Sequence, residues 1–216
     1  MIQANVNDSL LEIYLYFDIG QNWDGTGTTA DELATVLKAA EGVTDVDVHI
    51  NSYGGTVSDG WAMYNLLRQS GKHVTSYCDG FACSAAVFPL LAGDTRYCSD
   101  VSAVYIHQAM GMAGGYSGDL RKTADELDTL TEIGVTAFTE RTTLTREQVL
   151  DLMQKETWFS PEQCVENGIC TEIIHSPDTA GPLQSAKRAI MQAVKRPPAA
   201  EQKPKNKIKA LWAKEA

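Results

Sequence analysis

Several things are scarce in this 216-residue chain, and each scarcity excludes something. No run approaches the roughly 18 consecutive apolar residues of a membrane-spanning helix. The opening stretch "MIQANVNDSL" lacks the basic and apolar regions of a secretory signal. Its five cysteines (78, 83, 98, 164 and 170) have no metal-ligand spacing and are odd in number, so they read as free thiols in a reducing, cytoplasmic setting. Positive charge is thin: 18 Lys and Arg stand against 28 Asp and Glu. It is also unevenly placed. Residues 176–216 hold nine Lys/Arg against three Asp/Glu, a net of +6, which leaves −16 for the rest. An acidic body excludes nucleic acid as the main partner. Composition is otherwise that of a soluble globular protein, long enough for one domain with a sizeable core.

What is present reads as alternating strands and helices. Leu11–Phe17 alternates like a strand, and "DIGQNWDGTGT" reads as a loop. Thr29 with Glu32 forms a capping box ahead of a helix that Gly42 closes. "DVDVHI" (45–50) is the next strand, followed by a helix with Val57, Trp61, Tyr64 and Leu67 on one face. A strand over 73–78 then reaches a turn signal at Asp79-Gly80, and an apolar helix starts at Ser84. "TRYCS" and "AVYIH" are two further strands, and helices are expected over about 120–141, over 145–155 and from Pro161. This order predicts an α/β domain with a largely parallel sheet. It ends near 175, where a linker leads into a basic Pro/Lys-rich tail, 176–216, expected to be flexible apart from a short amphipathic helix over 183–194.

Four stretches ask for a chemical explanation. "DGFACSAAVF" sets Cys83 and Ser84 at a strand-to-helix junction, where backbone N–H groups favour negative charge. The bland alternative is a core cysteine beside a helix-capping serine. "INSYGG" puts adjacent glycines after a strand, the kind of turn that leaves N–H groups free for an oxyanion. "YIHQ" sets His107 at a strand end. Glu156, ahead of Trp158 and Phe159, is a carboxylate that those rings would part-shield from water; Asp151 is the runner-up.

In that order, "INSYGG", "DGFACSAA", "YIHQ" and "ETWFSPEQCVENGI" resemble the ClpP-like serine peptidases, especially their phage head-maturation (prohead protease) branch. The resemblance spans about residues 10–174. It implies a ClpP/crotonase-like ββα spiral core, Ser84 as nucleophile, His107 as base, Glu156 as the acid that orients it, and the backbone N–H groups of Gly55 and Ala85 as the oxyanion hole. It further implies homo-oligomeric rings of six or seven subunits able to stack through the 110–141 region, protein or peptide substrates, and no metal or cofactor. Tyr53 and Ala109 stand where housekeeping members usually carry proline, and Ala85-Ala86 where they carry Met-Gly.

Only about ten residues precede the first expected strand, little from which to build a gated axial pore. The expectation is therefore an ATP-independent endopeptidase that processes capsid or scaffold protein in the host cytoplasm. The alternatives are a housekeeping peptidase fed by an unfolding ATPase, an inactive assembly protein of the same fold, a crotonase-type acyl-CoA enzyme, and a Ser–Lys peptidase with Lys122 as base.

Overall fold

The computed structural model describes residues 2–176. The tail beyond, with its linker, short helix and basic stretch, lies outside the described residues. Strand β1 (Gln3–Asn7) was not expected; it pairs antiparallel with β2 (Leu10–Leu15). Then come a small hairpin of β3 (Gly20–Gln21) and β4 (Gly27–Thr28) inside the expected loop, α1 (Ala30–Ala39), β5 (Asp45–Ser52) and α2 (Val57–Gln69). Both hydrogen bonds of the Thr29–Glu32 capping box are present at the start of α1. On α2 the fully buried residues are Gly60, Met63 and Leu67, a face rotated from the expected one, with Trp61 and Tyr64 only partly covered.

Strand β6 (His73–Cys83) leads through a 3-10 turn (Ser84–Ala86) into α3 (Val87–Ala92), every residue of which is buried. After these come β7 (Thr95–Ser99), β8 (Ala103–Ile106), α4 (Ser117–Arg141), α5 (Arg146–Gln154), β9 (Thr157–Phe159), α6 (Pro161–Glu166) and β10 (Glu172–Ile174). The eight-stranded sheet runs β1-β2-β5-β6-β7-β10, parallel from β2 to β10 and antiparallel at β1, with β8 branching off β6 in parallel and β9 pairing antiparallel with β8. Its core face presents Ile13, Val48, Ile50, Val74 and Cys78 to the helices. Burying an aliphatic side chain of this size stabilises by about 1.5–3 kcal/mol.

One departure from the sequence reading matters for function. Asp79-Gly80 is not a turn: β6 runs straight through it and changes partner. Thr75–Cys78 pairs with β7, whereas Phe81–Cys83 pairs with β8. Asn51 bridges the irregularity, its side-chain oxygen accepting from the Phe81 N–H at 3.1 Å. A Cβ on Gly80 would lie 2.7 Å from that oxygen, so the glycine makes room for the bridge and does not bend the chain.

Arg96, buried in β7, ties the distal parts together. Its guanidinium donates to the carbonyls of Gly93, Arg141, Gly168 and Ile169 at 2.8–3.0 Å. It thereby satisfies backbone acceptors where α3, α4 and α6 all end. All five cysteines are free and buried.

Candidate active site

The branching of β6 places the two central residues. Cys83 pairs with Tyr105 as β6 and β8 end side by side, so Ser84 and His107 emerge just beyond neighbouring strand ends. The Ser84 hydroxyl lies 2.8 Å from His107 Nε2. On its other side, His107 Nδ1 lies 2.5 Å from the carbonyl oxygen of Gln108. A carbonyl can only accept, so Nδ1 carries the proton there. Nε2 is then left as an acceptor facing the Ser84 O–H, the tautomer a general base requires.

Ser84 sits at φ 53°, in the left-handed region that non-glycine residues rarely adopt. Such a backbone costs about 1–3 kcal/mol and holds the side chain out of the strand-to-helix turn. The hydroxyl is engaged by the imidazole and makes no capping bond to the helix that follows. Cys83, by contrast, is buried, and desolvation pushes its thiol up to about 11, so it stays protonated at neutral pH.

The Gly-Gly turn presses against this elbow. A Cβ built on Gly54 would meet the Cys83 carbonyl at 2.5 Å and the Ser84 Cβ at 2.7 Å, so only glycine permits the approach. Ile19 pins the turn from behind: its N–H donates to the Gly54 carbonyl at 2.7 Å, and its carbonyl accepts from the Thr56 N–H at 2.8 Å. Gly55 and Ala85 both line the cavity that holds Ser84 and His107. That cavity has a volume of about 360 Å³, and Trp61, Phe88, Phe138 and Met153 form much of its apolar wall.

Glu156 is placed differently from the other two. β9 runs antiparallel to β8, and Glu156 and His107 each lie one residue past the last pair of that ladder, Ile106 with Thr157. The Glu156 backbone is left-handed (φ 53°), and its carboxylate lies 3.5 Å from the Tyr105 hydroxyl. The residue is exposed: Phe159 is buried, but Trp158 is half-exposed and does not shield it. The structure thus joins Ser84 to His107, whereas the imidazole's second nitrogen is held by Gln108 and not by Glu156. No sequence signal marks Gln108, because the group it contributes is the backbone carbonyl every residue has.

Asp151 is bound to Lys155 at 2.6 Å on α5. Lys122 is exposed on α4, 3.7 Å from Glu126, and does not line the cavity, which removes the Ser–Lys arrangement. Among the described residues there is no cluster of three metal-ligating side chains, and no helix is long and apolar enough to cross a membrane.

The Clp protease family profile matches residues 14–177. An ATP-dependent Clp protease proteolytic subunit from Dehalococcoides mccartyi (strain CBDB1) is 32% identical over 136 residues, covering 62% of this chain and 68% of its own. Proteolytic subunit 1 from Streptomyces avermitilis is 29% identical over 173 residues, covering 75% and 79%. The solved structure of a ClpP1 point mutant from Listeria monocytogenes superposes with a TM-score of 0.65 at 23% identity, over 77% of this chain and 92% of that one.

Proposed function

This chain belongs to the Clp protease family of serine peptidases, with the fold expected of it, and we propose that it is an endopeptidase whose nucleophile is Ser84. The 2.8 Å contact between the Ser84 hydroxyl and His107 Nε2 carries this reading. Ser84 Oγ attacks the substrate carbonyl carbon as its proton passes to Nε2. The carbonyl oxygen takes up the negative charge against the N–H groups of Gly55 and Ala85. His107 then gives its proton to the leaving amine, and an acyl-enzyme remains. Water, deprotonated by the same nitrogen, hydrolyses that ester and frees Ser84. The Gln108 carbonyl holds the resting tautomer. Glu156, one register step away, is the carboxylate assigned to the imidazolium once it forms.

The relatives' names shift the biological reading. The two named above are proteolytic subunits of ATP-dependent Clp proteases. They favour a peptidase that receives chains from an unfolding ATPase over the capsid-processing role expected from the sequence motifs. Self-assembly fits the surface as well: Met110, Met112, Tyr116, Leu120 and Ile133 are exposed apolar side chains along the 110–133 segment. The test is a mass-spectrometric search for peptides released from an unfolded and from a folded protein, with and without a Clp-type ATPase and ATP. Wild type should cut and Ser84→Ala should not; release from a folded substrate only with the ATPase present would support the housekeeping role. An intact substrate under every condition would leave an inactive assembly protein.

A further inference from the structure

A second groove opens beside the catalytic cavity, and one carboxylate stands at the junction. This groove, about 390 Å³, is walled by Tyr16, Phe17, Tyr53 and Phe81 and shares Asp18 and Tyr53 with the cavity that holds Ser84. Among the described residues, Asp18 is the one Asp or Glu that lines either space, and no Lys or Arg lines either. The partner of its side chain is an amide: Asn22 Nδ2 donates to one carboxylate oxygen at 3.2 Å. Among the described residues no ion pair involves Asp18, and the residue is exposed.

The backbone that carries Asp18 is fixed. Its carbonyl accepts from the Thr28 N–H at 2.8 Å, and the next residue, Ile19, is bonded in both directions to the Gly-Gly turn. The Asp18 backbone is therefore held at a constant offset from the proposed oxyanion hole. Beside it, the Tyr53 and Phe81 rings pack with centroids 5.4 Å apart. A carboxylate that shares a groove with aromatic walls matches a guanidinium, which pairs with a carboxylate through its N–H fork and stacks on rings through its plane.

The geometry points to a substrate subsite: Asp18 selects peptides that carry a basic side chain, arginine ahead of lysine, at one position near the bond cut. This rests on the peptidase reading, whose catalytic atoms it does not involve. A charge this exposed gives by itself a preference of at most about fivefold, and stacking of the guanidinium on the rings brings the expected discrimination to about tenfold.

The experiment uses the full chain and internally quenched octapeptides in which each position in turn carries Arg, its neutral isostere citrulline, or Glu. At one position wild type should cleave the Arg peptide with kcat/KM about tenfold above the citrulline peptide, shrinking as salt rises. In Asp18→Asn that ratio should fall to about one, and in Asp18→Lys the Glu peptide should overtake citrulline. The same peptides are titrated by fluorescence anisotropy onto the Ser84→Ala chain and onto Ser84→Ala with Asp18→Asn, a readout that needs no turnover. Tighter binding of the Arg peptide in the first and equal binding in the second supports the subsite. Arg-to-citrulline ratios that Asp18→Asn leaves unchanged at every position overturn it, in binding or in turnover. Failure of wild type to cleave any peptide would count against the peptidase reading alone, with the binding titration still deciding the subsite.

Discussion

Glu156 and His107 each lie one residue past the last pair of the β8–β9 ladder, Ile106 with Thr157. At rest, however, the imidazole Nδ1 is held by the Gln108 carbonyl and the Glu156 carboxylate lies by Tyr105. A carbonyl fixes a tautomer as well as a carboxylate does, but it brings no full negative charge to an imidazolium. Glu156→Gln should therefore lower kcat by about 10²-fold or more while KM changes little, as expected when the countercharge is lost. Asp151→Asn, which removes only the partner of Lys155, should stay within about threefold of wild type. The reverse ranking would transfer the role to Asp151. Equal, small effects would mean that the Gln108 carbonyl suffices.

The left-handed backbone at Ser84 gives a stability test of the elbow. Ser84→Gly should abolish turnover and yet raise the unfolding free energy by about 1 kcal/mol, because glycine occupies φ 53° without steric cost. Denaturant titration reads this directly. A destabilised glycine variant would mean that the strain is not stored there.

Gly54→Ala should do the opposite. Its new methyl would sit 2.5 Å from the Cys83 carbonyl, at a position that is already left-handed (φ 95°). The turn must shift, so a loss of about 2 kcal/mol or more is expected together with loss of turnover. Unchanged activity would separate the turn from the oxyanion role.

Arg96→Met should be among the most destabilising single changes away from the site, at about 3 kcal/mol or more. It leaves the carbonyls of Arg141, Gly168 and Ile169 without their side-chain donor in the interior, while Gly93 keeps Arg141 Nη2 at 2.6 Å. Thermal unfolding of the variant checks this; a shift no larger than that of an exposed arginine would contradict the clamp.

His49 predicts a pH dependence. Burial disfavours its charged form, but Asp79, 2.8 Å from Nδ1, together with Asp47 and Glu12, outweighs burial and raises its pKa. A folded pKa above the unfolded value of about 6.5 gives stabilisation that is complete below that value and lost as pH rises through the folded one. His49→Gln should therefore destabilise more at about pH 5.5 than at about pH 8.5. Denaturant midpoints that fall equally at both would show that the imidazole contributes only its stacking between Tyr14 and Tyr77.

Much of this arrangement was legible in the residues. Alternation at Leu11, Ile13 and Leu15, the capping box at Thr29 and the helix start at Pro161 all mark elements that form as read. The misses have physical causes. Asp79-Gly80 has turn chemistry, but pairing with two partner strands overrides it, and only the tertiary neighbour Asn51 explains the glycine. β1 and β9 are short edge strands, stabilised by partners distant in sequence or by exposed hairpin contacts that carry no apolar signal. Ser84 and His107 stood out because four short motifs occur in the order that the resemblance requires, and the structure brings the two side chains to 2.8 Å. Asp18 did not, since one aspartate in a Gly/Asn/Asp loop looks like any other until the cavity beside it is seen.

The most direct test of the central claim is labelling of the full chain by a fluorophosphonate, with the modified residue located by peptide mass spectrometry. The account expects one adduct, on Ser84, lost in His107→Ala and retained in Cys83→Ala. Labelling elsewhere, or no labelling while alkylation of Cys83 stops turnover, would contradict it.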